Sequence, residues 1–172
     1  MGKTNIALIG FMATGKSTIG RILAKKLNKD FIEMDYLIAE RAGKSIPEIF
    51  AQDGEIRFRE MEMAIAKEMG QVKNTVISTG GGIVMNKLNI DYLKLSSTVV
   101  LLAAPAEEIY NRIMKEGKEK RPMIDKPDPK AEITRLLLFR QPFYEAAADI
   151  TINTREKTPE AIAEEILNFL KI

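Results

Sequence analysis

Short apolar runs alternate with longer stretches of helical period along this chain. Asn5-Ile-Ala-Leu-Ile-Gly10 is an apolar run closed by glycine and predicts a buried strand. Ser17 to Leu27 follows, with Ile19, Ile22, Leu23 and Leu27 at helical spacing. Asp30-Phe-Ile-Glu-Met-Asp35 predicts a second strand, and Tyr36 to Met69 predicts helix interrupted by turn chemistry at Gly43 and Asp53-Gly54. Ser45-Ile-Pro-Glu48 fits a capping box with proline near the helix start. Thr75-Val-Ile-Ser-Thr79 predicts a third strand, cut off by Gly80-Gly81-Gly82, and Thr98 to Ala103 a fourth, after which Pro105 opens a helix. Asp149 to Asn153 predicts the last strand, and Thr158-Pro159-Glu160 starts a closing helix through Ile162, Ile166, Leu167 and Leu170. Such alternation implies βαβ units: an α/β fold with a mainly parallel sheet and helices on both faces.

One stretch departs from the pattern. Lys115 to Lys130 is charged, carries proline at 122, 127 and 129, and has few core candidates. A polar loop of that length in a compact domain reads as a functional lid or a disordered segment. Residues 131–147 return to helix, with Pro142 expected to kink or break it.

Composition narrows the chemistry. The 172 residues fit a single domain, 1–172, with one real core. The chain has no Cys and no His. That removes thiolate nucleophiles, Ser-His-Asp triads and zinc sites built on Cys or His, so any base is Asp, Glu, Lys or Tyr and any metal sits on oxygen. Magnesium is favoured over zinc. No run approaches a membrane span and the N-terminus lacks a signal-peptide pattern, so no membrane partner and a cytoplasmic location are expected. The net charge of +2 is unevenly spread: residues 1–29 hold six bases and no acid, whereas 30–70 hold ten acids against five bases.

The sharpest motif is Gly10-Phe-Met-Ala-Thr-Gly15-Lys16-Ser17, a complete G-x-x-x-x-G-K-[ST] between a predicted strand and a predicted helix. Backbone N–H groups there can surround phosphate oxygens. Lys16 would reach the β- and γ-phosphates, and the Ser17 hydroxyl would ligate Mg²⁺. This is a nucleoside triphosphate site. The motif does not by itself choose a function. The chain has no N-K-x-D guanine-reading motif and no apolar strand ending in Asp, which points to a small-molecule kinase with its acceptor pocket in the loops beyond the strands.

Candidate acceptor groups recur at those strand ends. Glu33 and Asp35, two apart, share a strand face if the strand persists. Arg59 and Glu62, three apart on a helix, can pair. Gly80-Gly81-Gly82 leaves backbone N–H groups open to a ligand, Arg121 lies in the lid, and Arg140 on the helix after it. Taken singly, these residues do not select an acceptor.

As an ordered set, the motifs resemble the shikimate kinase family: Gly10–Ser17, Phe31-Ile-Glu-Met-Asp35, Phe58-Arg59, Gly80-Gly81-Gly82, Arg121-Pro122, and Arg140 followed by Pro142 and Tyr144. The resemblance extends over essentially the whole chain. It implies a three-layer P-loop kinase fold like that of nucleoside monophosphate kinases, with a five-stranded parallel sheet in order 2-3-1-4-5. It also implies transfer of the ATP γ-phosphoryl group to the 3-hydroxyl of shikimate, a step towards chorismate and aromatic amino acids.

Carried over by residue, Lys16, Asp35 and Arg121 would be catalytic, with Asp35 the candidate base. Ala13, Thr14, Gly15, Lys16, Ser17, Thr18, Arg112 and Arg121 would hold ATP, Arg112 packing on adenine. Asp35, Arg59, Gly80, Gly81, Gly82 and Arg140 would hold shikimate, with the acceptor region spanning about 33–62 and the lid about 115–130. Ser17 would ligate Mg²⁺, and Glu33 would act on it through water. The expected partners are ATP and shikimate alone, on a monomer that binds no nucleic acid.

The chain departs from the family pattern twice. Glu33 stands where Asp is usual, and Ala13 stands where many members have glycine. The added methyl narrows the allowed dihedrals, so the loop must adopt a conformation alanine tolerates.

Overall fold

The computed structural model describes residues 2–117, 121 and 123–171. Five strands carry the architecture: β1 (Asn5–Ile9), β2 (Asp30–Glu33), β3 (Thr75–Ser78), β4 (Ser97–Ala103) and β5 (Ile150–Asn153). They form one parallel sheet in order β2-β3-β1-β4-β5, so the order implied by the resemblance is the order observed. Between and after them run α1 (Lys16–Leu27), α2 (Met34–Ala42), α3 (Ile46–Gln52), α4 (Gly54–Met69), α5 (Lys87–Lys94), α6 (Ala106–Glu116), α7 (Pro129–Ala147) and α8 (Pro159–Leu170).

The strand alternation splits the core into two layers. Ala7, Ile9, Ile77, Val99 and Leu101 face one cluster, completed by Ile38, Ile49, Phe58, Ile65, Ile109, Ile113 and Ile133 from the helices on that side. Ile6, Leu8, Val76, Val100, Leu102 and Ile152 face the other, against Ile19 and Leu23 of α1 and Ile162 and Ile166 of α8. Neighbouring residues of β1 thus serve opposite faces, as the period of two requires. Burial on both faces explains why the central strands read as unbroken apolar runs.

The capping box forms as predicted: the Ser45 side chain accepts from the Glu48 backbone, and Glu48 reaches back to the Ser45 backbone at 2.7 Å.

Several expectations are corrected. β2 ends at Glu33, and Asp35 lies in the first turn of α2, so the two carboxylates do not share a strand face. Pro142 sits inside α7 without ending it, so of the expected kink or break the break is excluded. The expected lid is helical at both ends, since Lys115 and Glu116 belong to α6 and Pro129 and Lys130 to α7. Its described part is also anchored, because Ile124 is fully buried in the core. Residues 118–120 of that lid, and Pro122 of the Arg121-Pro122 motif, lie outside the described residues. Helix α5 and the short 3₁₀ turn at Ile83–Met85 were not predicted.

Candidate active site

The chain from β1 into α1 is folded by close packing. A side chain on Gly10 would lie 2.4 Å from the Leu102 carbonyl oxygen, so only glycine allows β1 to end against β4 there. Gly15 caps α1 with φ 94°, a left-handed conformation that suits glycine. Ala13 also takes a positive φ, 60°. The conformation that alanine must tolerate is therefore left-handed, and it costs about 1 kcal/mol or more against a right-handed one. Thr14, buried, pins the loop by donating to the Phe11 carbonyl at 2.8 Å.

Lys16 is buried at the start of α1, and its ammonium donates to the Gly10 and Phe11 carbonyls at 2.8 Å each. Burial pushes its pKa down to about 7; Asp35 and Glu33 oppose that fall, whereas Arg121 and Arg140 add to it. Ser17 donates its hydroxyl to Glu33, with the Ser78 hydroxyl 3.5 Å from the same oxygen. The sheet explains this meeting, because Glu33 pairs with Ser78 at the carboxyl ends of β2 and β3, beside the start of α1.

Two cavities open there. The larger, of about 500 Å³, is lined by the phosphate loop from Met12 to Thr18, Glu33, Asp35, Arg112, Arg121, Lys157 and Pro159, among others. The smaller, of about 180 Å³, has Phe50, Phe58, Arg59, Glu62, Gly82 and Arg140 in its wall. They share Met12, Asp35, Gly80, Gly81 and Arg121. The candidate phosphate and acceptor groups thus face adjoining spaces, with Asp35 and Arg121 at the junction.

The electrostatics of the smaller cavity are unusual. Glu62 is 1% exposed; one oxygen takes the Arg59 guanidinium at 2.9 Å and the other has no hydrogen-bond partner. Burial raises its pKa, against the pull of Arg59. One Asp35 oxygen is likewise buried without a partner, and burial raises the Asp35 pKa despite the nearby Lys16. Arg140 is 3% exposed, with its guanidinium 5.7 Å from the Phe11 ring centre, a cation–π contact. The Tyr144 hydroxyl donates to the Gly81 carbonyl, and burial holds its pKa up at about 12. Arg112 spans two elements, donating to the Ala13 carbonyl at 3.0 Å and pairing with Glu108 on its own helix. Arg121 pairs with Glu116 at 2.9 Å.

A family model for shikimate kinase matches residues 12–171. A shikimate kinase from Caldanaerobacter subterraneus subsp. tengcongensis is 43% identical, over 98% of this chain and 97% of its own length. The enzyme of that name from Enterococcus faecalis is 44% identical, over 97% and 98%. The chain belongs to the shikimate kinase family. A solved shikimate kinase from Acinetobacter baumannii, in complex with shikimate, superposes with a TM-score of 0.93 at 34% identity, over 98% of this chain and 93% of that one. The fold is accordingly the P-loop kinase fold of that family.

Most of the residues named from sequence line one or both cavities, Thr18 at the exposed edge of the larger. Sequence reasoning missed Ser78, Lys157 and Pro159 as lining residues and read Glu62 only as a helix partner for Arg59. Their signal was positional: Ser78 ends β3, and Lys157 and Pro159 follow β5, all at the ligand side of a parallel sheet.

Proposed function

We propose that phosphoryl transfer from ATP to the 3-hydroxyl of shikimate takes place where the two cavities meet, with the chain's own residues in the following roles. The larger cavity takes ATP: the loop N–H groups from Ala13 to Thr18 hold phosphate oxygens, and Lys16 turns from the loop carbonyls to the β- and γ-phosphates. Arg112, near Lys157 and Pro159, borders the base. The smaller cavity takes shikimate, its carboxylate between Arg59 and Arg140, whose planar forks suit two parallel hydrogen bonds. Asp35 accepts the hydroxyl proton as the oxygen attacks phosphorus. The raised Asp35 pKa favours that role, since a proton taken up there is well held. Arg121 faces both cavities and neutralises charge on the group in transfer.

The oxygen donors Ser17, Glu33 and Asp35 suit a hard cation that takes most of its ligands from phosphate and water. Ser17 and Glu33 are hydrogen-bonded to each other, and both line the larger cavity together with Asp35, which supports this reading. When bound, Mg²⁺ would draw charge from the phosphate oxygens.

The observation that carries the proposal is Asp35 at the junction, between Lys16 on one side and the Arg59–Arg140 pair on the other. A coupled ADP-release assay with shikimate, gluconate and nucleoside monophosphates tests it. Turnover with shikimate far above the others is expected, and strong turnover only with another acceptor would overturn the assignment.

A further inference from the structure

Three consecutive glycines are costly in a chain that must stay ordered, so each needs a physical reason. Backbone dihedrals do not supply one here. Gly82 has φ −96°, and neither Gly80 nor Gly81 is among the glycines with positive φ. The reason is space. A Cβ on Gly82 would lie 2.5 Å and 2.6 Å from the two terminal nitrogens of Arg59 and 2.8 Å from the carbon between them. A Cβ on Gly80 would lie 2.8 Å from an Asp35 oxygen and 3.1 Å from a Glu62 oxygen. These two oxygens, Asp35 Oδ1 and Glu62 Oε2, are the ones that have no hydrogen-bond partner.

We propose that Gly82 is a positioning residue for acceptor recognition: its missing side chain is the space in which the Arg59 guanidinium lies. From there Arg59 reaches Glu62 and faces the smaller cavity. Gly80 does the same for the Asp35 and Glu62 carboxylates. Gly80 and Gly82 are then a mould for the acceptor groups, in addition to any hydrogen bonds their backbone makes. The inference rests on the reading of Arg59 as a carboxylate clamp.

The nature of the obstructing atoms decides what a methyl would do. At Gly10 the obstacle is backbone, which cannot move without disturbing β4. At Gly82 and Gly80 it is the far end of a flexible side chain, which can swing away while the chain still folds. Gly82→Ala should therefore misplace Arg59 rather than unfold the protein, and Gly80→Ala should misplace Asp35.

Steady-state kinetics on four variants tests this. Gly82→Ala should raise the shikimate KM about tenfold or more while changing the ATP KM less than about twofold, as expected when one arm of a clamp is displaced. Gly80→Ala should act chiefly on kcat. In an Arg59→Ala background the crowding is gone, so the Arg59→Ala Gly82→Ala double variant should match Arg59→Ala alone in shikimate KM. An unchanged KM for Gly82→Ala beside a raised one for Arg59→Ala would overturn the inference and leave the clamp standing. An additive double variant would also overturn it, by showing that Gly82 acts on the fold and not through Arg59. An unchanged KM for Arg59→Ala would bring down the clamp and the inference together.

Discussion

Replacing Lys16 by methionine should make this protein more stable at neutral pH and nearly inactive. The ammonium is buried, with its pKa depressed from an ordinary 10.5 to about 7. Between those values the unfolded chain binds the proton that the folded chain has released, so stability rises with pH across that window. At 1.36 kcal/mol per pH unit, keeping the charge buried at pH 7 costs on the order of 4 kcal/mol relative to a neutral side chain. Methionine removes that cost but forfeits two hydrogen bonds, to Gly10 and Phe11, worth about 1 kcal/mol each. The net gain at pH 7 is about 2 kcal/mol, or a Tm rise of roughly 4–8 °C for a chain this size. The assay is thermal unfolding of both proteins from pH 6 to pH 10 without nucleotide. The advantage of Lys16→Met should shrink as pH rises and reverse at about pH 9, where the remaining cost of the unfolded chain's proton falls below the roughly 2 kcal/mol of hydrogen bonds that methionine forfeits. Asp35→Asn, which removes the carboxylate that most favours the ammonium, should move the wild-type rise to lower pH. A difference between wild type and Lys16→Met that stays flat across the range would refute the reasoning. Phosphoryl transfer by the variant should fall by about 10²–10³ or more, the loss expected when a fixed charge-stabilising donor is removed.

Asp35→Asn should lower kcat by about 10²–10⁴ while leaving ADP affinity, read by calorimetry, nearly intact; full activity would remove Asp35 from the base role. Ala13→Gly relieves a left-handed alanine at the cost of a more flexible unfolded chain, so the Tm should rise by no more than about 4 °C, and a fall of several degrees would show that φ 60° is not strained. Glu62 has a raised folded pKa, so its contribution favours folding at acid pH and is lost as pH rises through the raised value. Glu62→Gln should flatten that part of the Tm-against-pH curve and raise the shikimate KM, because Arg59 loses its carboxylate partner; an unchanged curve would contradict the burial argument.

The sequence made the sheet legible because its central strands are buried on both faces and bounded by glycine or proline. Helix starts were equally plain where a cap is local, as at Ser45 and Thr158, whose side chain accepts from the Ala161 backbone at 3.2 Å. Asp35 was misplaced because Asp30 to Asp35 reads as one short strand, whereas β3 offers only four residues for β2 to pair with. Pro142 leaves α7 unbroken, so a proline in the sequence marks a place where a helix can bend without marking its end. Helix α5 has only eight residues, too few for its period to stand out.

The residues of the candidate site were legible as types and order, since a phosphate-loop motif announces itself locally, and the fold brings them to adjoining cavities. What the acceptor groups do to each other was not. That Glu62 is almost wholly buried, or that Gly82 must be bare for Arg59 to fit, depends on helix α4 meeting the turn after β3, a contact between segments some twenty residues apart.

The central claim is that shikimate lies with its carboxylate between Arg59 and Arg140 and its 3-hydroxyl at Asp35. A crystal structure with ADP and shikimate measures this directly. The account predicts the 3-hydroxyl oxygen within about 2.6–3.2 Å of an Asp35 oxygen and the carboxylate bonded to both guanidinium groups. A carboxylate turned towards Lys16, or a different hydroxyl at Asp35, would contradict it.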